Sequence, residues 1–188
     1  MDSEGFTIIE LLIVVAIIVV LPAVVISNFP QIKNQFALSR AIYKMSQDIR
    51  TIQNMALSSV PYKDSFNLLR PVAGYGVHVD VNALGNKKYM LYADNSDSGG
   101  VGNQQYDNLD YVVSLIDFRN SEQGVIIKEI SNTSGGKVSV DFGLPNADVT
   151  ISEINQGKSD MRIVLGLESD ATKTRSILVN ISGLIEVQ

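Results

Sequence analysis

FTIIELLIVVAIIVVLPAVVI, residues 6–26, decides how the chain is read. Its 21 positions hold 16 Phe, Leu, Ile or Val and a single charge, Glu10. About 20 apolar residues, rising about 1.5 Å each, cross a bilayer core as a helix. Each contributes roughly −0.3 to −0.6 kcal/mol to insertion near the centre, or about −6 kcal/mol for the run. One carboxylate near an end costs at most about 3 kcal/mol. Insertion therefore wins, with Pro22 trimming the margin. A cleavable secretory signal would need a basic start and a small-residue site after the apolar core. Residues 1–5 carry no Lys or Arg, and Ser27-Asn28-Phe29-Pro30 is not such a site.

Glu10 separates a plain anchor from something more specific. An acid one turn inside an apolar span calls for a partner. Cutting the chain after Gly5 would free an α-amino group on Phe6, with a pKa near about 8 and hence cationic at neutral pH. That cation could sit against Glu10 of a neighbouring copy as helices stagger into a bundle. Leaving either charge unmatched there costs several kcal/mol, so the pair acts as a register device more than a source of stability.

Gly5-Phe6-Thr7-Ile8-Ile9-Glu10-Leu11-Leu12 resembles the prepilin motif of type IV pilins and type II secretion pseudopilins. Residues 39–57 and 174–187 are similar to the matching stretches of the GspH/FimT-like minor pseudopilins. The resemblance implies a prepilin peptidase that cuts between Gly5 and Phe6 and methylates the new N-terminal Phe6. It implies Glu10 as the assembly carboxylate and no catalytic residue. Its implied partners are other pilin or pseudopilin subunits, the peptidase, an inner-membrane assembly platform and the membrane itself. The implied place is the cytoplasmic membrane, spanned once with the head outside, and then the pilus or pseudopilus.

Beyond residue 30 the chain turns polar but keeps a helical period. Leu38, Ile42, Met45, Ile49, Ile52 and Ala56 form one apolar stripe, with Arg40, Lys44, Gln47, Asp48, Arg50 and Gln53 on the other faces. Pro61 predicts a helix end near Ser58, because the residue before proline is pushed out of the α region. After that the period switches toward two. Strands are expected at 75–81, 88–93, 111–118, 125–130, 138–142, 149–154, 161–167, 176–181 and 184–187, with Gly183 in the last turn. A helix followed by many short strands predicts an α+β fold, a long N-terminal helix on an antiparallel sheet head. The expected organisation is a leader at 1–5, a transmembrane and assembly helix at 6–30, its amphipathic half at 31–60 and a β-rich head at 61–188.

Composition narrows the chemistry. Net charge is −5, with 15 Lys and Arg against 20 Asp and Glu, which argues against a nucleic-acid footprint. There is no cysteine, so disulfides and thiolate metal sites are excluded. The single histidine, His78, excludes a multi-histidine metal site. Alternation puts Tyr75, Val77 and Val79 on one face, leaving His78 and Asp80 expected to face solvent. No cofactor is called for by any motif, save one oxygen-rich loop. There Asp94, Asp97, Asp107 and Asp110 could supply ligands to Ca²⁺, although the EF-hand spacing fails and a solvated surface loop is the favoured reading. No nucleophile elbow or phosphate-binding glycine pattern is present. The rival to a filament subunit is a membrane-anchored extracytoplasmic binding module or enzyme with a pilin-like anchor.

Overall fold

The computed structural model describes residues 7–96 and 102–188, apart from the side chains of Val24, Val25, Ser27 and Asn28. The chain divides into two compact units, Met1–Phe36 and Ala37–Gln188. Helix α1, Ile8–Leu57, begins in the first and ends in the second.

The described part of the first unit is helical, and α1 continues through both Pro22 and Pro30. Its apolar side chains are open, from Ile8 at 86% to Ile26 at 70% exposed. Among the described residues no helix is long and apolar enough to cross a membrane. Val24 and Val25, within the expected span, lie outside the described side chains.

In the second unit the apolar stripe of α1 packs as its spacing requires. Leu38, Ile42, Met45, Ile49, Ile52 and Ala56 are all buried, joined by Ala37 and Ala41. The helix end is a Schellman motif. Val60 N–H donates to the Met55 carbonyl and Ser59 N–H to that of Ala56, with Ser59 itself at φ 46°.

The strands follow in chain order: β1 Tyr62–Lys63, β2 Leu69–Arg70, β3 Val72–Asp80, β4 Lys88–Asn95 and β5 Tyr111–Asp117. A short helix α2, Phe118–Ser121, precedes β6 Val125–Ser131, β7 Lys137–Gly143 and β8 Asp148–Ile151. The chain closes with β9 Asp160–Leu167, β10 Asp170–Asn180 and β11 Ile185–Val187. All pairings are antiparallel. They build a five-stranded sheet β5-β4-β3-β7-β8, a four-stranded sheet β11-β10-β9-β6 and the small β1-β2 ribbon. The fold is thus α+β, a helix packed on antiparallel sheets. The strand expected at 111–118 stops a residue early, because the Asp117 carboxylate accepts the Arg119 N–H and caps α2.

One core joins helix and sheets, uniting the α1 stripe with Tyr75, Val77 and Val79 of β3, Phe142 of β7 and Ile163 of β9. Polar contacts at its rim set the helix register. Tyr89 Oη donates to Asp48 Oδ2 at 2.6 Å, Arg50 Nη2 to the Ile185 carbonyl at 2.9 Å, and Gln53 Nε2 to that of Gly183 at 3.2 Å. Gly183 sits in the closing turn at φ 83°, as expected.

Ile49 is fully buried, so Ile49→Ala should cost about 2–5 kcal/mol of unfolding free energy. Tyr43, on the opposite side and 55% exposed, should change stability by less than about 0.5 kcal/mol when cut to Ala. Urea denaturation of the two variants checks the assignment of the helix faces.

Candidate functional site

The two faces of the five-stranded sheet carry different chemistry. Alternation turns Tyr75, Val77 and Val79 inward, leaving Gly74, Gly76 and His78 on the outer face. Strand register then fixes three rows across β4, β3 and β7. They read Asp94–Gly74–Gly143, Tyr92–Gly76–Asp141 and Met90–His78–Ser139. The glycines are needed for space. A Cβ on Gly76 would overlap the Tyr92 ring, and one on Gly74 would overlap Asp141 Oδ1.

Residues 102–110 lie over this outer face. Gly102 packs so closely on the Asp94 carboxylate that a Cβ there would overlap it. Gln104 N–H donates to Asp94 Oδ2 at 2.9 Å, and Tyr106 N–H donates to Ser139 Oγ at 3.2 Å. The Tyr106 ring lies 4.7 Å from that of His78, tilted by 37°, and 5.5 Å edge-on from that of Tyr92. Asp110 closes the segment, taking the Asn95 N–H on Oδ1 at 2.9 Å and the Asp107 N–H on Oδ2 at 2.8 Å.

This cover corrects two expectations. His78 does not face solvent: it is 8% exposed, with Nδ1 2.8 Å from Ser139 Oγ. Burial holds its pKa below the ordinary value, the Asp80 carboxylate opposing and Lys137 assisting. Nor are the acids of the loop simply solvated. Asp94 is 1% exposed, and Asp107 and Asp110 are half-buried. Alternation placed His78 on the second face, but gave no sign that Asp94 would share that face or that 102–110 would return to roof it.

Asp141 and Tyr92 had no signal of their own in the sequence. Asp141 is fully buried, and the Tyr92 hydroxyl, across Gly76 from it, is the donor that faces its carboxyl. Burial, reinforced by the nearby Asp94 and Asp110 charges and opposed by the Tyr92 hydroxyl, pushes the Asp141 pKa up to about 8. Burial raises Asp110 to about 6 against the pull of the Asn95 and Asp107 N–H groups, and raises Asp94 as well. These surroundings favour the protonated form of Asp141.

As for the other expected site residues, Gly5, Phe6 and Asp97 lie outside the described residues. Glu10 is in the first turn of α1, where Oε2 accepts the Thr7 N–H at 2.8 Å and the Thr7 hydroxyl at 2.9 Å. Glu10 N–H points back to Thr7 Oγ1 at 3.3 Å. This reciprocal arrangement is a capping box, legible in Thr7-Ile8-Ile9-Glu10 as T-x-x-E ahead of an apolar run. Among the described residues no group of three or more His, Asp or Glu could hold a metal ion. Asp94, Asp107 and Asp110 accept backbone N–H groups, from Gln104, from Leu109, and from Asn95 and Asp107 respectively. Ser139 and His78 touch, but Ser139 is 2% exposed and its Oγ is occupied by Tyr106 N–H. No acyl group could approach it in this arrangement.

Compared with known families, curated proteins and solved structures, the chain matches none.

The glycine column gives a direct check. Gly76→Ala should destabilise the protein by about 1–3 kcal/mol through overpacking on Tyr92. In a Tyr92→Ala background the same change should cost much less, and that non-additivity is what a double-mutant cycle in urea would read.

Proposed function

We propose that the chain is a structural subunit, a minor pilin or pseudopilin, of a type IV pilus or a type II secretion pseudopilus. The observation that carries this reading is Gly5-Phe6-Thr7-Ile8-Ile9-Glu10 opening an apolar run whose described side chains, from Ile8 to Ile26, are exposed in the lone chain. An apolar surface of that extent needs lipid or other copies to cover it. In this reading the run at 6–26 holds the precursor in the cytoplasmic membrane, with the β-rich unit on the extracytoplasmic side.

A prepilin peptidase cuts between Gly5 and Phe6 and methylates Phe6. The helix then leaves lipid for a bundle of like helices at an assembly platform. It exchanges one apolar setting for another, so little hydrophobic free energy changes. Helix packing and a pair between Glu10 and the α-amino group of a neighbouring Phe6 can therefore steer the step. The Thr7 cap does not compete with that pair, because an ionised carboxylate accepts about four hydrogen bonds.

Mass spectrometry of protein from native membranes should find a mature chain beginning at methylated Phe6. Residues 1–5 intact on all recovered protein would sink the reading. Glu10→Ala should insert in membranes normally but enter filaments poorly, and incorporation at the native level would remove Glu10 from the mechanism.

A further inference from the structure

Asp141 lies beneath 102–110 with the Tyr92 hydroxyl as its facing donor and no cation beside it. From β4 it faces Tyr92 and Asp94, and from β3 only Gly74 and Gly76, with His78 one row away. On its own strand its same-face neighbours are Ser139 and Gly143, and on β8 it pairs with Thr150. From the roofing segment it feels Asp110, and Asp107 acts in turn on Asp94 and Asp110. Every charged group in that circle is an acid. No Lys or Arg forms an ion pair with any of them among the described residues. Lys137 and Asp80 act on His78, at the margin of the cluster.

We propose that residues 102–110 are a proton-latched clasp, closed over the outer face of the five-stranded sheet while Asp141 is a neutral acid and released when it ionises. An Asp141 carboxylate would be a buried charge with one hydroxyl donor, Tyr92, and no cation to balance it, set against two more carboxylates, and something must give. The strands cannot yield cheaply, since their ladders and inner faces belong to the common core. The clasp can. It is held by the bonds of Gln104 and Tyr106 to Asp94 and Ser139, by the Thr150 hydroxyl on Gln104 Oε1 at 2.9 Å, and by ring contacts of Tyr106. Its departure takes Tyr106 off the face and lets water reach Asp141, while Asp110 stays anchored beside β5 by the Asn95 N–H.

The direction follows from linkage. Asp141, Asp110 and Asp94 all have folded pKa values raised above their open ones, so closure binds protons. Closure is strongest in acid and is lost as pH rises through about 6 for Asp110 and about 8 for Asp141. His78, lowered by burial, works the other way and weakens closure only on the acid side of its own titration.

Hydrogen exchange of the full chain in detergent, corrected for the intrinsic pH dependence of exchange, tests the latch. Protection of the Gln104, Tyr106 and Asp107 amides should fall about ten-fold or more between about pH 7 and about pH 9.5, one ionisation carried well past its midpoint. Protection in β3 and β7 should hold. In Asp141→Asn, which stays neutral, the clasp should remain protected throughout. Protection that ignores pH in the wild type, or falls equally in Asp141→Asn, overturns the latch. So does full restoration at about pH 9.5 by millimolar Ca²⁺, which would put a cation where the proton is assigned. Should Asp141→Asn fail to fold, a carbon-13 titration of the wild-type Asp141 carboxyl decides. A midpoint near about 8 supports the latch, and one in the ordinary carboxylate range overturns it.

Discussion

The Ala37–Gln188 unit depends on the burial of one face of α1. Ile42, Met45, Ile49, Ile52 and Ala56 are at most 1% exposed, and they meet the inner faces of both larger sheets in a single core. Each large apolar side chain so buried is worth about 1.5–3 kcal/mol relative to exposure. The polar contacts around the rim are smaller. The Arg40–Glu122 pair, for example, is bidentate at 2.8 and 2.9 Å, but Arg40 is 62% exposed, and water screens such a pair. Apolar burial therefore decides that helix and sheets join, while Tyr89, Arg50 and Gln53 decide the register in which they do.

That allocation leaves the outer face of the five-stranded sheet without helical cover. Strand β3 answers the difference residue by residue. Tyr75 goes inward, with its hydroxyl donating to the Val60 carbonyl at 2.6 Å, while Gly74 and Gly76 go outward and make room for the Asp141 carboxyl and the Tyr92 ring. An acid on an outward strand position ordinarily stays in water at little cost. Under 102–110 it loses that water, and the clasp and the protonation of Asp141 become one equilibrium.

The sequence and the structure agree where a single element carries its own signal. The 3-and-4 spacing from Leu38 to Ala56 named the buried helix face, and period-two runs placed strands overlapping each of β3 to β11, although β10 begins at Asp170, six residues before its expected start. The exceptions have local causes. The ribbon pairing Tyr62 with Arg70 and Lys63 with Leu69 is too short to show a period, and the Asp117 cap turns Phe118 into a helix. Asp141 was invisible for a different reason. In KVSVDFG it reads as one more polar residue alternating outward. Only the return of 102–110 over β3 and β7, a pairing between stretches far apart in the chain, makes it buried.

Thr7 bears on how an acid can live at the start of an apolar run at all. A helix N-terminus leaves its first N–H groups without intrahelical partners, and in lipid each such group costs several kcal/mol. Glu10 supplies an acceptor for the Thr7 N–H, and Thr7 supplies donors to Glu10, so each lowers the cost of the other. Within the proposed filament role this reciprocity solves a timing problem. The precursor must hold Glu10 in the membrane before any neighbour offers a free amino group. A carboxylate already taking two hydrogen bonds within its own chain can wait there, and it keeps acceptor capacity for a cation that arrives later. Register selection then asks for one further contact at Glu10, not for the rescue of a bare charge.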